Sequence, residues 1–149
     1  MGADTPHQSS ELLLTPLQGA VVGLVASFPM LGVVYVLEPG SGALARSWLA
    51  WLGGLVGQSP LPVGLILHGL IGACLGALHA MSQERIPFTS LLGVGLFYGL
   101  VLWIGGRILF GWLFSTPVRD VVHSWRWLAG SLSFGLLLAA AAGWAGARR

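Results

Sequence analysis

The sequence predicts an all-α, polytopic membrane protein with four transmembrane helices in a compact bundle. The chain is 55% hydrophobic and only 8% charged, whereas soluble domains carry about 25% charged residues. Four apolar runs are each long enough to cross a bilayer as a helix, which takes roughly 20 residues. The predicted spans cover residues 16–37, 61–81, 88–114 and 127–145, within a single membrane domain over residues 1–149.

The first span begins at Thr15-Pro16, where the threonine hydroxyl can cap free backbone amides and proline suits the first helical position. Pro29 lies inside the run, and its ring crowds the carbonyl of Val25. We therefore expect a kink near Pro29, with the Ser27 hydroxyl helping to satisfy the loosened backbone.

Residues 43–57 place apolar side chains at helical spacing but are too few to span a bilayer. This pattern predicts an interfacial amphipathic helix between the first two spans, with Trp48 and Trp51 at the depth of the lipid headgroups. The alternative is a loop packed over the end of the bundle.

The second span follows a proline-rich stretch at 59–62 and ends before a polar turn at 82–85. The third span contains Arg107, the only formal charge well inside a predicted span. After Thr116-Pro117 the apolar pattern can continue without a break to Trp144. A helix of that length exceeds the hydrocarbon thickness, so we expect its first turns to lie in the interface.

Small residues recur at four-residue spacing on every predicted span. Inside lipid, close approach of helix backbones supplies the attraction that water provides for soluble proteins. The sequence therefore predicts helix packing through the glycines of these stripes, foremost Gly19, Gly23, Gly72, Gly76, Gly95, Gly99 and Gly135.

His68 and His79 lie eleven residues apart on the second span, so both imidazoles point to one helix face. A self-contained di-haem site would need two further histidines on another span, and the other predicted spans contain none. A chlorophyll-type pigment or a quinone at His68 or His79 remains one interpretation. The other is a pair of buried histidines that hydrogen-bond to neighbouring helices.

Glu38 and Arg107 form a second candidate group. The four-span topology places both near the same membrane side as His68, and a charge at membrane depth usually has a partner. We expect a shared polar pocket or an ion pair there, with Asp120 as the alternative partner of Arg107. Such a pocket would suit a quinone headgroup, an anionic lipid or a proton. Trp103 lies one turn before Arg107 and can stack on its guanidinium group.

Several function classes are excluded or disfavoured. The single cysteine, Cys74, rules out a dithiol redox enzyme, and the uncharged first span lacks the central glutamate of small multidrug exporters. No catalytic triad, metal cage or phosphate loop is recognisable, which predicts a non-enzyme without a metal. The net charge of +2 is too small to indicate a nucleic-acid partner.

The stretches from Pro16 to Met30 and from His68 to Trp112 resemble uncharacterised small bacterial four-helix membrane proteins in the placement of glycine and histidine. This resemblance implies a fold and no activity.

We therefore expect a non-enzymatic accessory subunit of a larger bacterial membrane complex, of the respiratory or photosynthetic electron-transfer type. A small homo-oligomeric transporter or channel is one alternative, and a pigment- or quinone-binding subunit using His68 or His79 is another. The expected partners are other membrane subunits and lipids, with no resident cofactor. The expected location is the bacterial inner membrane, with both termini on the cytoplasmic side.

Overall fold

The computed structural model describes residues 14–38, 40, 42–57, 61–83, 90–113 and 118–146. Within these ranges 90% of the residues are helical and no strand occurs. The structure contains six helices in the described ranges, namely α1 (Pro16–Val36), α2 (Ala43–Gly54), α3 (Leu61–Ser82), α4 (Leu91–Leu113), α5 (Val118–His123) and α6 (Trp125–Gly146).

Four of these helices are long and apolar enough to cross a membrane. They correspond to the four predicted spans, and their candidate crossing segments run for 21 or 22 residues. The predicted all-α fold and its compact bundle are therefore confirmed, and four crossings are possible by length and composition.

The start of α1 has the predicted cap. The Thr15 hydroxyl accepts a hydrogen bond from the Gln18 amide, and the Gln18 side chain accepts one from the Thr15 amide. The helix remains continuous through Pro29. The Ser27 hydroxyl donates to the carbonyl of Leu24 at 2.7 Å, one residue before the Val25 carbonyl that the Pro29 ring crowds.

Helices α1 and α3 cross with their backbones in direct contact. A Cβ atom on Gly76 would lie 2.7 Å from the Cα atom of Gly23, and one on Gly19 would lie 2.7 Å from the Cβ of Ala80. Any side chain at these glycines would force the two helices apart. The small residues therefore fix the distance between α1 and α3.

Helices α4 and α6 use the same device. A Cβ atom on Gly95 would lie 2.8 Å from the Cα of Leu136, and one on Gly99 would lie 2.7 Å from the Cα of Leu132. On α6, a Cβ atom on Gly135 would lie 2.7 Å from the Gly99 amide nitrogen. The seven glycines predicted to mediate packing thus fall at two crossings, α1–α3 and α4–α6.

The bundle is closed on three sides. Helix α1 packs against both α3 and α6, and α6 packs against α4, while α3 and α4 make little direct contact on the fourth side. This order leaves a space between α3 and α4. One end of the bundle, where α1 ends, α3 begins and α2 lies, is called the α2 end below.

Helix α2 packs into the bundle and does not merely lie along it. Its main neighbour is α3, with further contacts to α5 and α1. Trp48 and Leu52 are each only 2% exposed. The Trp48 ring therefore contacts protein in the core of the bundle end, and its depth at the lipid headgroups stays a prediction. Leu55 and Val56 follow the last turn of α2 and are exposed.

The helix predicted to run unbroken to Trp144 is interrupted at Ser124. Its hydroxyl accepts a hydrogen bond from the Trp127 amide at 3.1 Å and donates to the Val121 carbonyl at 2.7 Å. Serine is a preferred N-cap, so it ends α5 and begins α6. The predicted restart at Thr116-Pro117 lies outside the described residues.

Candidate functional site

The candidate site is the cleft between α3 and α4. It has a volume of about 410 Å³, which lies in the range of small-ligand sites. All four long helices and α2 contribute to it. The lining residues are Ser27, Met30, Trp48, His68, Ile71, Gly72, Leu75, Val101, Leu102, Gly105, Gly106, Leu109, Phe110, Trp127 and Phe134. We refer to this space as the α3–α4 cleft.

A second and larger groove, of about 560 Å³, lies between α1, α2 and the start of α3. Its lining is apolar except near Arg46 and Tyr35. None of the histidines singled out from the sequence reaches this groove, whereas His68 lines the α3–α4 cleft. The cleft is therefore the better candidate for a specific site.

His68 is buried and both of its ring nitrogens are engaged. The indole N–H of Trp48 donates to Nδ1 at 3.1 Å, and Nε2 lies 3.0 Å from the carbonyl oxygen of Ser27. An indole nitrogen can only donate and a carbonyl oxygen can only accept, so His68 is the neutral tautomer with its proton on Nε2. Neither nitrogen is free to ligate the metal of a pigment in this arrangement.

An aromatic cluster seals the α2 end of the cleft. The Trp48 ring centroid lies 4.9 Å from that of Trp127, 5.4 Å from Trp51 and 5.5 Å from Phe110. These residues come from α2, α4 and α6, so the cluster joins three helices that are remote in sequence. The tryptophan that was expected at the membrane surface is the centre of this cluster.

Trp127 brings a free hydrogen-bond donor to the cleft. Its side chain is 6% exposed, and no acceptor for its indole nitrogen occurs among the described residues. That nitrogen lies 3.8 Å from the place where a Cβ atom on Gly106 would stand. Both residues line the cleft, so the Trp127 N–H lies beside the backbone of α4 at Gly106, where no side chain intervenes.

Tyr98 bridges α3 and α4 beyond the other end of the cleft. Its hydroxyl donates to the Leu75 carbonyl at 2.6 Å, and its ring centroid lies 4.5 Å from that of His79. His79 is fully buried, and neither ring nitrogen has a hydrogen-bond partner among the described residues. His79 does not line the α3–α4 cleft. The two histidines on α3 therefore occupy separate environments.

The structure does not bring Glu38, Arg107 and His68 into one pocket. The Glu38 carboxylate accepts hydrogen bonds from the Leu44 amide at 2.9 and 3.2 Å, and so caps the start of α2. Arg107 instead lies over the Trp103 ring, 4.7 Å from its centroid. In the described parts of the chain, neither carboxylate proposed as its partner forms an ion pair with Arg107.

The remaining polar groups near the α2 end tie helices together. Asp120 is exposed on α5, away from the expected role as a partner of Arg107. Arg126 donates from Nε to the Leu37 carbonyl at 3.0 Å, which connects the end of α1 to the start of α6. A cation at a helix C-terminus also interacts favourably with the helix dipole.

Sequence reasoning missed the roles of Trp48, Tyr98 and Trp127. Each was assigned to the membrane surface or not considered, because tryptophan near the end of a span is typical of the interface. The hydrogen bond from Trp48 to His68 joins residues 20 apart on different helices. No local spacing rule detects such a pair.

No group of three or more metal-ligating side chains occurs among the residues that the structure describes. Comparisons with protein-family models, curated proteins and solved structures found no match. The fold and cleft thus define a helical protein with four candidate membrane spans and a cavity between its helices.

Proposed function

We propose that the protein is a non-enzymatic, multi-pass subunit of a larger complex in the bacterial inner membrane, of the respiratory or photosynthetic electron-transfer type. It associates through the outer face of α4 with a transmembrane helix of another subunit. The observation that carries this proposal is the unequal burial of the four long helices.

Helix α4 is far less covered than the other candidate spans. Only 11% of its apolar window is buried, compared with 28% to 39% for α1, α3 and α6. Its exposed face includes Ile104 and Ile108. One face of α4 already packs on α6 through glycines, so the opposite face is available to a further helix.

Large apolar side chains on the exposed face of α4 favour a protein helix as the occupant. Van der Waals packing between such faces is one way in which membrane helices gain association energy.

The test is native mass analysis of the protein gently solubilised from its own membranes, with two matched variants. Ile104→Trp enlarges a side chain on the α4 face, and Val25→Trp enlarges an exposed one on α1. We expect foreign membrane subunits in fixed stoichiometry with the wild type and with Val25→Trp, and their loss with Ile104→Trp. A homo-oligomer without foreign subunits, the result expected of a small transporter, contradicts the proposal.

The proposed topology has a separate test. With four crossings both termini share one membrane side, which we assign to the cytoplasm. Green fluorescent protein fused after residue 149 would then fluoresce, and alkaline phosphatase fused there would be inactive. The reverse pattern contradicts the cytoplasmic assignment, and activity of both reporters contradicts a single orientation.

A further inference from the structure

We propose that the α3–α4 cleft binds the head ring of a membrane-soluble quinone, with the indole N–H of Trp127 donating a hydrogen bond to one quinone carbonyl. This site does not use either histidine as a ligand. It also does not depend on a partner subunit, because every residue that forms it belongs to this chain.

The shape of the cleft suits a small apolar molecule that enters from lipid. Trp48 covers the cleft at the α2 end, and Tyr98 joins the two helices beyond the opposite end. Between them α3 and α4 scarcely touch. Val101, Gly105 and Leu109 line the cleft and are also exposed, so they form its mouth.

Among the described side chains that line the cleft, only the Trp127 indole is a hydrogen-bond donor without a partner. The Trp48 N–H is engaged by His68, both His68 nitrogens are engaged, and the Ser27 hydroxyl donates to Leu24. Trp127 is 6% exposed, and its indole N–H has no acceptor among the described residues. A ligand in the cleft that accepts a hydrogen bond would give this donor a partner.

The other properties of the lining select a planar carbonyl compound over a phospholipid. No charged side chain of the described residues lines the cleft, so a phosphate group would have no counter-charge there. Four aromatic side chains, those of Trp48, Phe110, Trp127 and Phe134, line it together. Aromatic rings pack favourably against another flat ring in stacked or edge-on geometry. The backbone at Gly105 and Gly106 lets such a ring approach α4 closely.

The experiment is a titration of the purified full-length protein, in nanodiscs of synthetic phosphatidylcholine, with decyl-ubiquinone. Binding of the quinone is followed by quenching of tryptophan fluorescence, and binding of the comparison ligand by its displacement of the quinone, which restores that fluorescence. The comparison ligand is the dimethyl ether of the corresponding quinol, which has the same ring and tail but no carbonyl groups. We expect saturable quenching by the quinone and much weaker binding of the ether.

Two variants with matched controls locate the site. Gly105→Leu fills the mouth and is paired with Gly32→Leu, an exposed position on α1 with no atom within 4 Å of an added Cβ. Trp127→Phe removes the donor and is paired with Trp125→Phe, which is exposed on the same helix. We expect Gly105→Leu to weaken binding at least tenfold and Trp127→Phe about two- to tenfold, with both controls unchanged.

Far-UV circular dichroism and the unfolding temperature show whether each variant remains folded. Equal affinity of folded Gly105→Leu and Gly32→Leu for the quinone overturns the proposal, since the molecule then lies elsewhere or only dissolves in the bilayer. Equal affinity for the ether and the quinone also overturns it, because the cleft would then be a groove for any hydrophobic chain.

Discussion

At the scale of single residues, Trp48 and His68 form the most informative pair in the molecule. One hydrogen bond of 3.1 Å connects a short helix outside the spans to a buried imidazole. The same imidazole contacts the backbone of α1 at Ser27. The pair therefore holds three helices in register at the α2 end.

Replacing Trp48 with phenylalanine tests this role. Trp48→Phe keeps an aromatic ring but leaves Nδ1 of His68 without a donor in a buried site. We expect a loss of about 1–3 kcal/mol in the free energy of unfolding, measured by denaturant titration in mild detergent. Trp125→Phe, at an exposed position, should change the stability by less than about 0.5 kcal/mol.

A double-mutant cycle with His68→Leu separates the hydrogen bond from the packing of the ring. If Trp48 acts through His68, the double variant should lose less stability than the sum of the two single losses. The expected coupling is about 0.5–3 kcal/mol. Additive losses would show that the two side chains act independently.

His79 leads to the opposite expectation. Both of its ring nitrogens are buried without partners in the described structure, and leucine has a similar volume. We expect His79→Leu to leave the free energy of unfolding unchanged or to raise it by about 1 kcal/mol. The same denaturant titration measures this effect. A loss of more than about 1 kcal/mol would contradict the prediction and indicate an acceptor or donor for His79 outside the described residues.

At the scale of helices, glycine spacing determines which helices meet closely. The α1–α3 and α4–α6 crossings both bring backbone into contact with backbone. Glycine has no side chain, so the two backbones can approach closely enough to make dispersion contacts along the whole crossing. A methyl group at one of these glycines would separate the helices and weaken those contacts.

The corresponding prediction compares two glycine-to-alanine changes. Gly76→Ala places a Cβ atom 2.7 Å from the Cα of Gly23, so α1 and α3 must separate. We expect a loss of about 1–3 kcal/mol, observed as a lower midpoint of denaturation in detergent. Gly32→Ala meets nothing within 4 Å and should stabilise α1 by up to about 1 kcal/mol through helix propensity. Equal effects of the two changes would contradict close packing at Gly76.

Much of the helical fold could be predicted from the sequence, because its signals are local. The four apolar runs, the cap at Thr15 and the glycine stripes all depend on residues within a few positions of one another. The contact of Arg107 with the Trp103 ring was predictable for the same reason, since the two lie one turn apart. The break at Ser124 was not predicted, although serine is a common N-cap.

The candidate site was harder to predict, because its contacts cross between helices. Amphipathic spacing on α2 does not say whether its apolar face meets lipid or protein, and Trp48 meets protein. Glu38 was expected to neutralise Arg107, but the nearer unsatisfied amide of Leu44 takes its carboxylate. Local hydrogen bonds of this kind compete with the long-range ion pairs that topology suggests.

At the scale of the whole molecule, the bundle is closed on three sides and bridged on the fourth by Tyr98. The hydroxyl of Tyr98 donates a hydrogen bond to the Leu75 carbonyl, which connects α4 to α3. Without this hydrogen bond, α3 is positioned mainly by its packing on α1, and α4 by its packing on α6.

Removing the Tyr98 hydroxyl should allow α3 and α4 to vary more in their separation. Tyr98→Phe is expected to broaden the distance distribution between spin labels on the natural Cys74 of α3 and on Ile104→Cys of α4, measured by pulsed electron resonance. The distance between Cys74 and Val21→Cys of α1 should not change, because the α1–α3 crossing is unaffected. An unchanged Cys74–Ile104→Cys distribution would show that Tyr98 does not restrain α3 against α4.

The packing of Trp48 against α6 has a consequence for biosynthesis. Trp48 belongs to an early part of the chain, yet its ring packs against Trp127 of α6, a helix that leaves the ribosome much later. Until α6 is inserted, the Trp48 indole lacks its contact with Trp127, and one side of α2 is therefore not fully packed. In a nascent chain arrested before α6, Trp48 would thus keep its contacts with His68 and Phe110 but lack the one with Trp127.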